Sequence, residues 1–276
     1  MKAITLKEIK ELAGNDETIN RSLTFGFLRS CTEEQLFHLL KKHLYEKQIF
    51  SQVFRCYLEQ PDKQFADQLA TRFLSELQRQ PDYHRRQALG FCLDRLLDKC
   101  GPATRTKTIR TFLDSGKRYL RKYAYKKDLS SMPVEILEIA YRRLEEFPEE
   151  APYFLHAAAY TYPDAFIEEN FHRLIAFEYI DQYQLNKLFL RKANLSSDDW
   201  NWLEEHRPDN VLYIAAKRGR VLTDDECVRF AGSLNKIIEH SWGKFEEPDG
   251  LKLWCLAKMG KWEILRTMLK TTHQCE

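Results

Sequence analysis

Leu212-Tyr213-Ile214-Ala215-Ala216-Lys217-Arg218-Gly219-Arg220 recurs 41 residues later as Leu253-Trp254-Cys255-Leu256-Ala257-Lys258-Met259-Gly260-Lys261. Leucine, an aromatic ring, alanine, lysine, glycine and a base stand in register. Each copy follows a Pro-Asp pair, Pro208-Asp209 or Pro248-Asp249. Proline suits the first helical position because its missing N–H would be unpaired there, and the next carboxylate meets the positive end of the helix dipole. Glycine past the last turn can take the left-handed cap. Each copy is therefore a helix bounded at both ends and followed by a second helix. Such a two-helix unit cannot bury its apolar face alone and must stack on its neighbours.

The rest of the chain has the same character. Leucine occurs 36 times and valine five times, a ratio that disfavours sheets, since strands draw on β-branched residues. Phe65, Leu69, Phe73 and Leu77 recur every four residues, and Ala66, Ala70 and Leu74 widen them into one helix face. Leu89, Cys92, Leu93, Leu96 and Leu97 repeat the pattern. Breakers such as Gly14, Pro61, Pro81, Gly101-Pro102, Ser115-Gly116, Pro148 and Pro163 interrupt it at short intervals. Five of the nine prolines precede aspartate, at 61, 81, 163, 208 and 248, and mark five helix starts. The expected fold is all-α, an α-solenoid of stacked antiparallel helix pairs with about 15 short helices. It is expected as one helical-repeat domain over 1–276, divisible into a basic half, 1–130, and a repeat-bearing half, 131–276.

Asp249-Gly250 followed by Leu253 to Lys270 resembles a degenerate ankyrin repeat, whose pattern runs Leu-His-x-Ala-Ala-x-x-Gly into an apolar second helix. Leu212 to Gly219 resembles it again, and Leu155-His156-Ala157-Ala158-Ala159 matches its opening. The Thr-Pro before the first leucine is absent, and the spacing of 41 is closer to HEAT-type repeats than to the ankyrin period of about 33. The resemblance implies stacked helix pairs that bind proteins.

Formal charge is only +2, from 43 Lys and Arg against 41 Asp and Glu, so no global field steers the molecule toward nucleic acid or membrane. The apolar run Val211 to Ala216 is far shorter than the roughly 20 residues that span a bilayer. The opening Met1 to Lys10 is broken by charges and lacks a signal peptide's apolar centre, so secretion is not expected. The seven cysteines, at 31, 56, 92, 100, 227, 255 and 275, never form Cys-x-x-Cys. They read as reduced, buried thiols of a cytoplasmic or nuclear protein.

Chemistry-bearing motifs are sparse. Gly101-Pro102-Ala103-Thr104-Arg105-Thr106-Lys107-Thr108 approaches a P-loop, but Thr106 stands where the second glycine must wrap the phosphates, and a helix rather than a strand precedes it. Glu169-Asn170-Phe171-His172 has the spacing by which one helix face offers a carboxylate and an imidazole to a metal, but no second copy completes a dinuclear site. No cofactor, metal or catalytic residue is expected.

One local feature stands out. Residues 79–127 hold 14 Lys or Arg against four Asp, a net of +10 over 49 residues that leaves the other 227 at −8. In the densest part, helical spacing places Leu120, Tyr123 and Ala124 inward and Lys117, Arg118, Arg121, Lys122 and Tyr125 outward. With Arg85, Arg86, Arg105, Lys107, Arg110, Lys126 and Lys127 they form the candidate surface. The expectation is a non-enzymatic protein–protein interaction module whose protein partner is acidic, with no membrane role. The alternative is a nucleic-acid-binding protein of HEAT-like build, a DNA-repair role included, that grips phosphates with 79–127. All five tryptophans follow residue 199, and Trp254 and Trp262 read as core.

Overall fold

The computed structural model describes residues 5–43, 47–59, 66–235 and 247–272. Among them are 17 α-helices, three 3-10 turns and no strand. The chain divides into two compact units, Met1–Ala124 and Tyr125–Glu276. The first contains α1 (Leu6–Ala13), α2 (Glu17–Ser30), α3 (Glu33–Lys42), α4 (Lys47–Glu59), α5 (Ala66–Arg79), α6 (Tyr83–Leu96), α7 (Pro102–Leu113) and nearly all of α8 (Arg118–Tyr125). The second contains α9 (Val134–Glu146), α10 (Ala151–Tyr160), α11 (Asp164–Ile175), α12 (Gln182–Arg191), α13 (Ser197–His206), α14 (Pro208–Arg218), α15 (Asp224–Ser233), α16 (Pro248–Lys258) and α17 (Trp262–Thr272).

Helices outnumber the 15 expected because several boundaries are set without proline or glycine. Thr32 starts α3 with a capping box, accepting the Gln35 amide while the Gln35 side chain returns to the Thr32 amide. Asp181 and Thr223 do the same for α12 and α15, while Ser196, itself a breaker in the sequence, caps α13 as expected. Pro208 and Pro248 occupy the first helical position as expected. Pro163 instead stands at the N-cap of α11, and at α6 it is Asp82 that caps, accepting the Arg85 amide at 2.8 Å. Pro61-Asp62 and Phe65 lie outside the described residues.

The two copies of the repeat end alike. Gly219 and Gly260 both have φ +72°. The next amide, of Arg220 or Lys261, reaches back to Ala215 O at 3.0 Å or Leu256 O at 2.9 Å. These are equivalent positions and give the same six-to-one bond, which only a left-handed residue allows. Burial differs between the copies. Val211 to Ala216 are all buried, whereas Leu253, Trp254 and Ala257 are half-buried. The reason is packing: α14 is flanked by α12 and α16, while α16 touches α14 and α17.

Within the second unit, α10 packs on α12, α12 on α14 and α14 on α16, with α11, α13, α15 and α17 attached beside them. Polar side chains tie this row together. Gln184 Nε2 donates to Pro152 O at 2.9 Å, and Asn210 Nδ2 donates to Asn186 Oδ1 at 2.8 Å, in the interior. Arg191, in the last turn of α12, donates to Ala158 O, Ala159 O and Tyr162 O at the end of α10. Arg218, in the last turn of α14, donates to Leu190 O and Ala193 O at the end of α12. Each guanidinium thus satisfies carbonyls that a helix end leaves open and sits at the negative pole of the dipole.

The six described cysteines are buried and unbridged. Burial pushes the thiols of Cys92 and Cys100 up to about 12, so both stay protonated at neutral pH. Cys275 lies outside the described residues.

Candidate functional site

The first unit carries an open groove of about 910 Å³ between α4 and α6. Its floor forms because α4 and α6 both rest on α5: the rings of Phe50 and Phe54 meet Phe73 at 5.9 and 6.3 Å, and α5 and α6 pack along their lengths. On its other flank α6 closes against α8 at Gly90. A Cβ there would come within 2.6 Å of Leu120 Cδ2, so glycine permits this approach.

The α4 wall presents Phe50, Ser51, Phe54, Arg55 and Leu58. The α6 wall presents His84, Ala88, Phe91 and Arg95, spaced four, three and four residues apart and hence on one helix face, with Arg85, Gln87, Leu89 and Cys92 beside them. Tyr123 of α8 completes the lining. Apolar area dominates the interior, and the charges of the lining, Arg55, Arg85 and Arg95 with titratable His84, are all of cationic type. Phe91 is 46% exposed, and the Arg95 guanidinium lies 5.5 Å from its ring centre. Arg55 lies 3.7 Å from the exposed Glu59 carboxylate, a surface pair worth ~0–1 kcal/mol. Across the α4 wall a smaller cleft of about 490 Å³ is lined by Glu17, Asn20, Arg21, Phe25, Ser51, Gln52 and Arg55, and its charges are mixed.

The basic segment is divided by the fold. The outward placement of Arg121 and Tyr125 is corrected: Arg121 is 3% exposed and Nη1 donates to Ser115 O at 2.8 Å, while Tyr125 is fully buried. The buried face of α8 comprises Leu120, Arg121, Ala124 and Tyr125, one step further round the helix than the apolar pattern alone indicates. Arg105 is turned inward as well, with Nε on Leu97 O at 3.3 Å and Nη2 on Cys100 O at 3.4 Å. Arg110 lies 3.8 Å from Asp114. Arg86 and Lys122 are half-buried, and Arg85, Lys107, Lys117 and Arg118 are exposed. Lys126, exposed, and Lys127, half-buried, belong to the second unit with Tyr125.

Of the groove residues, Phe54 belongs to the apolar helix face Val53, Phe54, Tyr57 and Leu58 legible in the sequence, whereas Arg55, Phe91 and Arg95 were not singled out by sequence reasoning. The available signal was in α6, where Phe91 stands off the face formed by Leu89, Cys92, Leu93 and Leu96 and is the large apolar residue of its polar side.

The motif candidates resolve into structure. Gly101 caps α7, and its amide donates to Asp67 Oδ1 at 2.9 Å, so a protein carboxylate already stands where a phosphate would bind. Glu169 and His172 are both exposed, and no group of three metal-ligating side chains occurs among the described residues. His172 Nε2 lies 3.5 Å from Asp199 Oδ1. Asp199 is buried and accepts from Lys192 Nζ at 2.7 Å and from the Ser196 amide and hydroxyl at 2.7 and 2.9 Å. Burial by itself would raise its pKa, but Lys192 and the Ser196 donors outweigh burial and hold the carboxyl below its ordinary value. Because the Ser196 hydroxyl donates to the carboxylate directly, this is a helix cap and not a nucleophile–base arrangement.

Trp262 corrects another expectation, being 57% exposed on α17, the last described helix. Trp254 is half-buried with the Lys217 ammonium 4.8 Å from its ring. Trp200 lies under the Arg220 guanidinium at 4.3 Å, and Trp242 lies outside the described residues. No helix among the described residues is long and apolar enough to cross a membrane. Comparison of the chain with protein-family models, with curated proteins and with solved structures finds no match.

Proposed function

We propose that this chain is a non-enzymatic interaction module, an α-solenoid of helical repeats that binds protein partners through the groove between α4 and α6. The observation that carries this reading is the groove: apolar side chains held open between two helix walls, edged by arginine and histidine. An exposed apolar trough with a polar rim is the form of a helix-binding or peptide-binding surface. The successive packing of α10, α12, α14 and α16 and the matching ends of α14 and α16 support the repeat architecture. In this reading the repeats are of the ankyrin or HEAT-like kind, in a cytoplasmic or nuclear setting.

The second reading is nucleic-acid binding through the exposed bases Lys107, Lys117 and Arg118. It is weakened because Arg105 and Arg121 are turned to backbone carbonyls. The test is a titration of the full chain against single- and double-stranded DNA and RNA at low and high salt, beside panning of the immobilised chain on a random-peptide display library. We expect peptides to be enriched and no nucleic acid to bind more tightly than ~10 μM. Binding to nucleic acid with a salt slope of several units, lost in a Lys107→Glu, Lys117→Glu, Arg118→Glu variant, would make the second reading the correct one.

A further inference from the structure

We infer that the occupant of the α4–α6 groove is an amphipathic helix with large apolar residues on one face and Asp or Glu along its flanks. The inference rests on the interaction-module reading above and adds the chemistry of the partner.

Three features select this occupant. The groove is a trough rather than an enclosed cavity, since Ser51, Arg55, His84, Arg85, Gln87, Ala88, Phe91 and Arg95 of its lining are exposed. Its two walls are helices: the α6 residues span 84–95, about 16 Å at 1.5 Å per residue. A helix laid between α4 and α6 would place side chains at i, i+3 or i+4, and i+7 against Phe54, Leu58, Ala88 and Phe91, as ridges fill grooves between packed helices. The third feature is charge. Apolar anchors recognise any greasy helix, whereas Arg55 on one wall and Arg85 and Arg95 on the other put cations on both edges. A guanidinium favours carboxylates with two-point geometry, and basic flanks on the ligand would be repelled. The neighbouring cleft has mixed charges and makes no such selection.

Cys92 within this lining is buried, and burial pushes its thiol up to about 12, so it stays a protonated part of the groove floor.

The test begins with the peptides enriched on the full chain. Affinities are measured by fluorescence anisotropy at moderate salt for wild type, for Phe91→Arg, and for an Arg85→Glu, Arg95→Glu double variant. The library clones are expected to share apolar residues at helical spacing with flanking acids, and to gain helical circular dichroism on binding. Phe91→Arg is expected to weaken them at least tenfold. Because Phe91 is 46% exposed, thermal unfolding should be unchanged. Should that variant lose its fold, Ala88→Arg, at an exposed lining position, gives the same reading. The double variant is expected to weaken acidic peptides at least tenfold and to gain affinity for versions with Lys in place of each acid.

If peptides are enriched but bind wild type and the groove variants equally, this inference fails while the interaction-module reading stands. Groove-dependent peptides that carry no acids, or absence of the charge-swap gain, overturn the acidic partner. If no peptide is enriched and nucleic acid binds, both readings fall together.

Discussion

The arginines that close helix ends in the second unit and those that edge the groove in the first do different work, while Arg105 and Arg121 of the first unit are turned to backbone carbonyls as well. In the second, Arg191 and Arg218 point into the fold and close the carbonyl ends of α10 and α12. In the first, Arg55, Arg85 and Arg95 stand at the lip of an apolar groove. A guanidinium that has backbone carbonyls in reach stabilises its own chain and offers little to a ligand. Arg55, beside the Glu59 carboxylate and the Phe25 ring, and Arg95, beside the Phe91 ring, stand on exposed walls and can change partners at small cost. The contrast teaches that charge density along the sequence is a poor guide to a binding surface, because position in the fold decides which cations remain available.

The comparison is most severely tested at Arg191. Arg191→Ala should cost ~3 kcal/mol, since Asp164 and several part-buried carbonyls lose a charged donor at once, while Arg95→Ala should change stability by less than ~0.5 kcal/mol. Urea unfolding of the full chain measures both. Equal costs would erase the distinction between the two sets of arginines.

Asp199 comes next. Its pKa is lowered on folding, so its contribution is fully present above the unfolded-state value near 4 and is lost as pH falls through the lower folded value. Replacing it by Asn should cost ~2 kcal/mol at pH 7, because Lys192 then faces no counter-charge. The gap between wild type and Asp199→Asn should narrow as pH drops below ~4. A gap independent of pH would show that Asp199 acts by shape and hydrogen bonding alone. The titratable groups around it are Lys192 and His172.

The smallest effect sharpens the repeat. Gly219→Ala and Gly260→Ala should each cost ~1 kcal/mol, because alanine resists the left-handed conformation that both glycines adopt at φ +72°. Similar costs at the two sites, read from thermal unfolding, would show that the copies end in the same energetic device. No loss at either would mean the caps relax to another conformation.

Much of the architecture was legible beforehand because it rests on local rules. Leucine periodicity, Pro208 and Pro248 at helix starts and glycine at helix ends act over one or two turns, and the all-α class follows from them. The starts of α10, α12, α14 and α16, at residues 151, 182, 208 and 248, lie 31, 26 and 40 residues apart. That irregularity hides all but one pair from a search at fixed period. Boundaries such as Thr32 were missed because a capping box has no breaker residue to announce it. In α8 the pattern indicated which residues are apolar, but not that Arg121 would be buried with them, since its partner is the Ser115 carbonyl outside that helix.

The sequence by itself determined the all-α class, the helix ends marked by Pro208, Pro248, Gly219 and Gly260, and the existence of a basic stretch, all properties of neighbours within a few residues. Only the tertiary structure decided which cations face solvent and where the groove lies. Phe54 and Arg55 are 36 to 41 positions from Phe91 and Arg95, and no local rule relates them. They line one groove because α4 and α6 rest on the same apolar face of α5, held there by the burial of Phe50, Phe54 and Phe73.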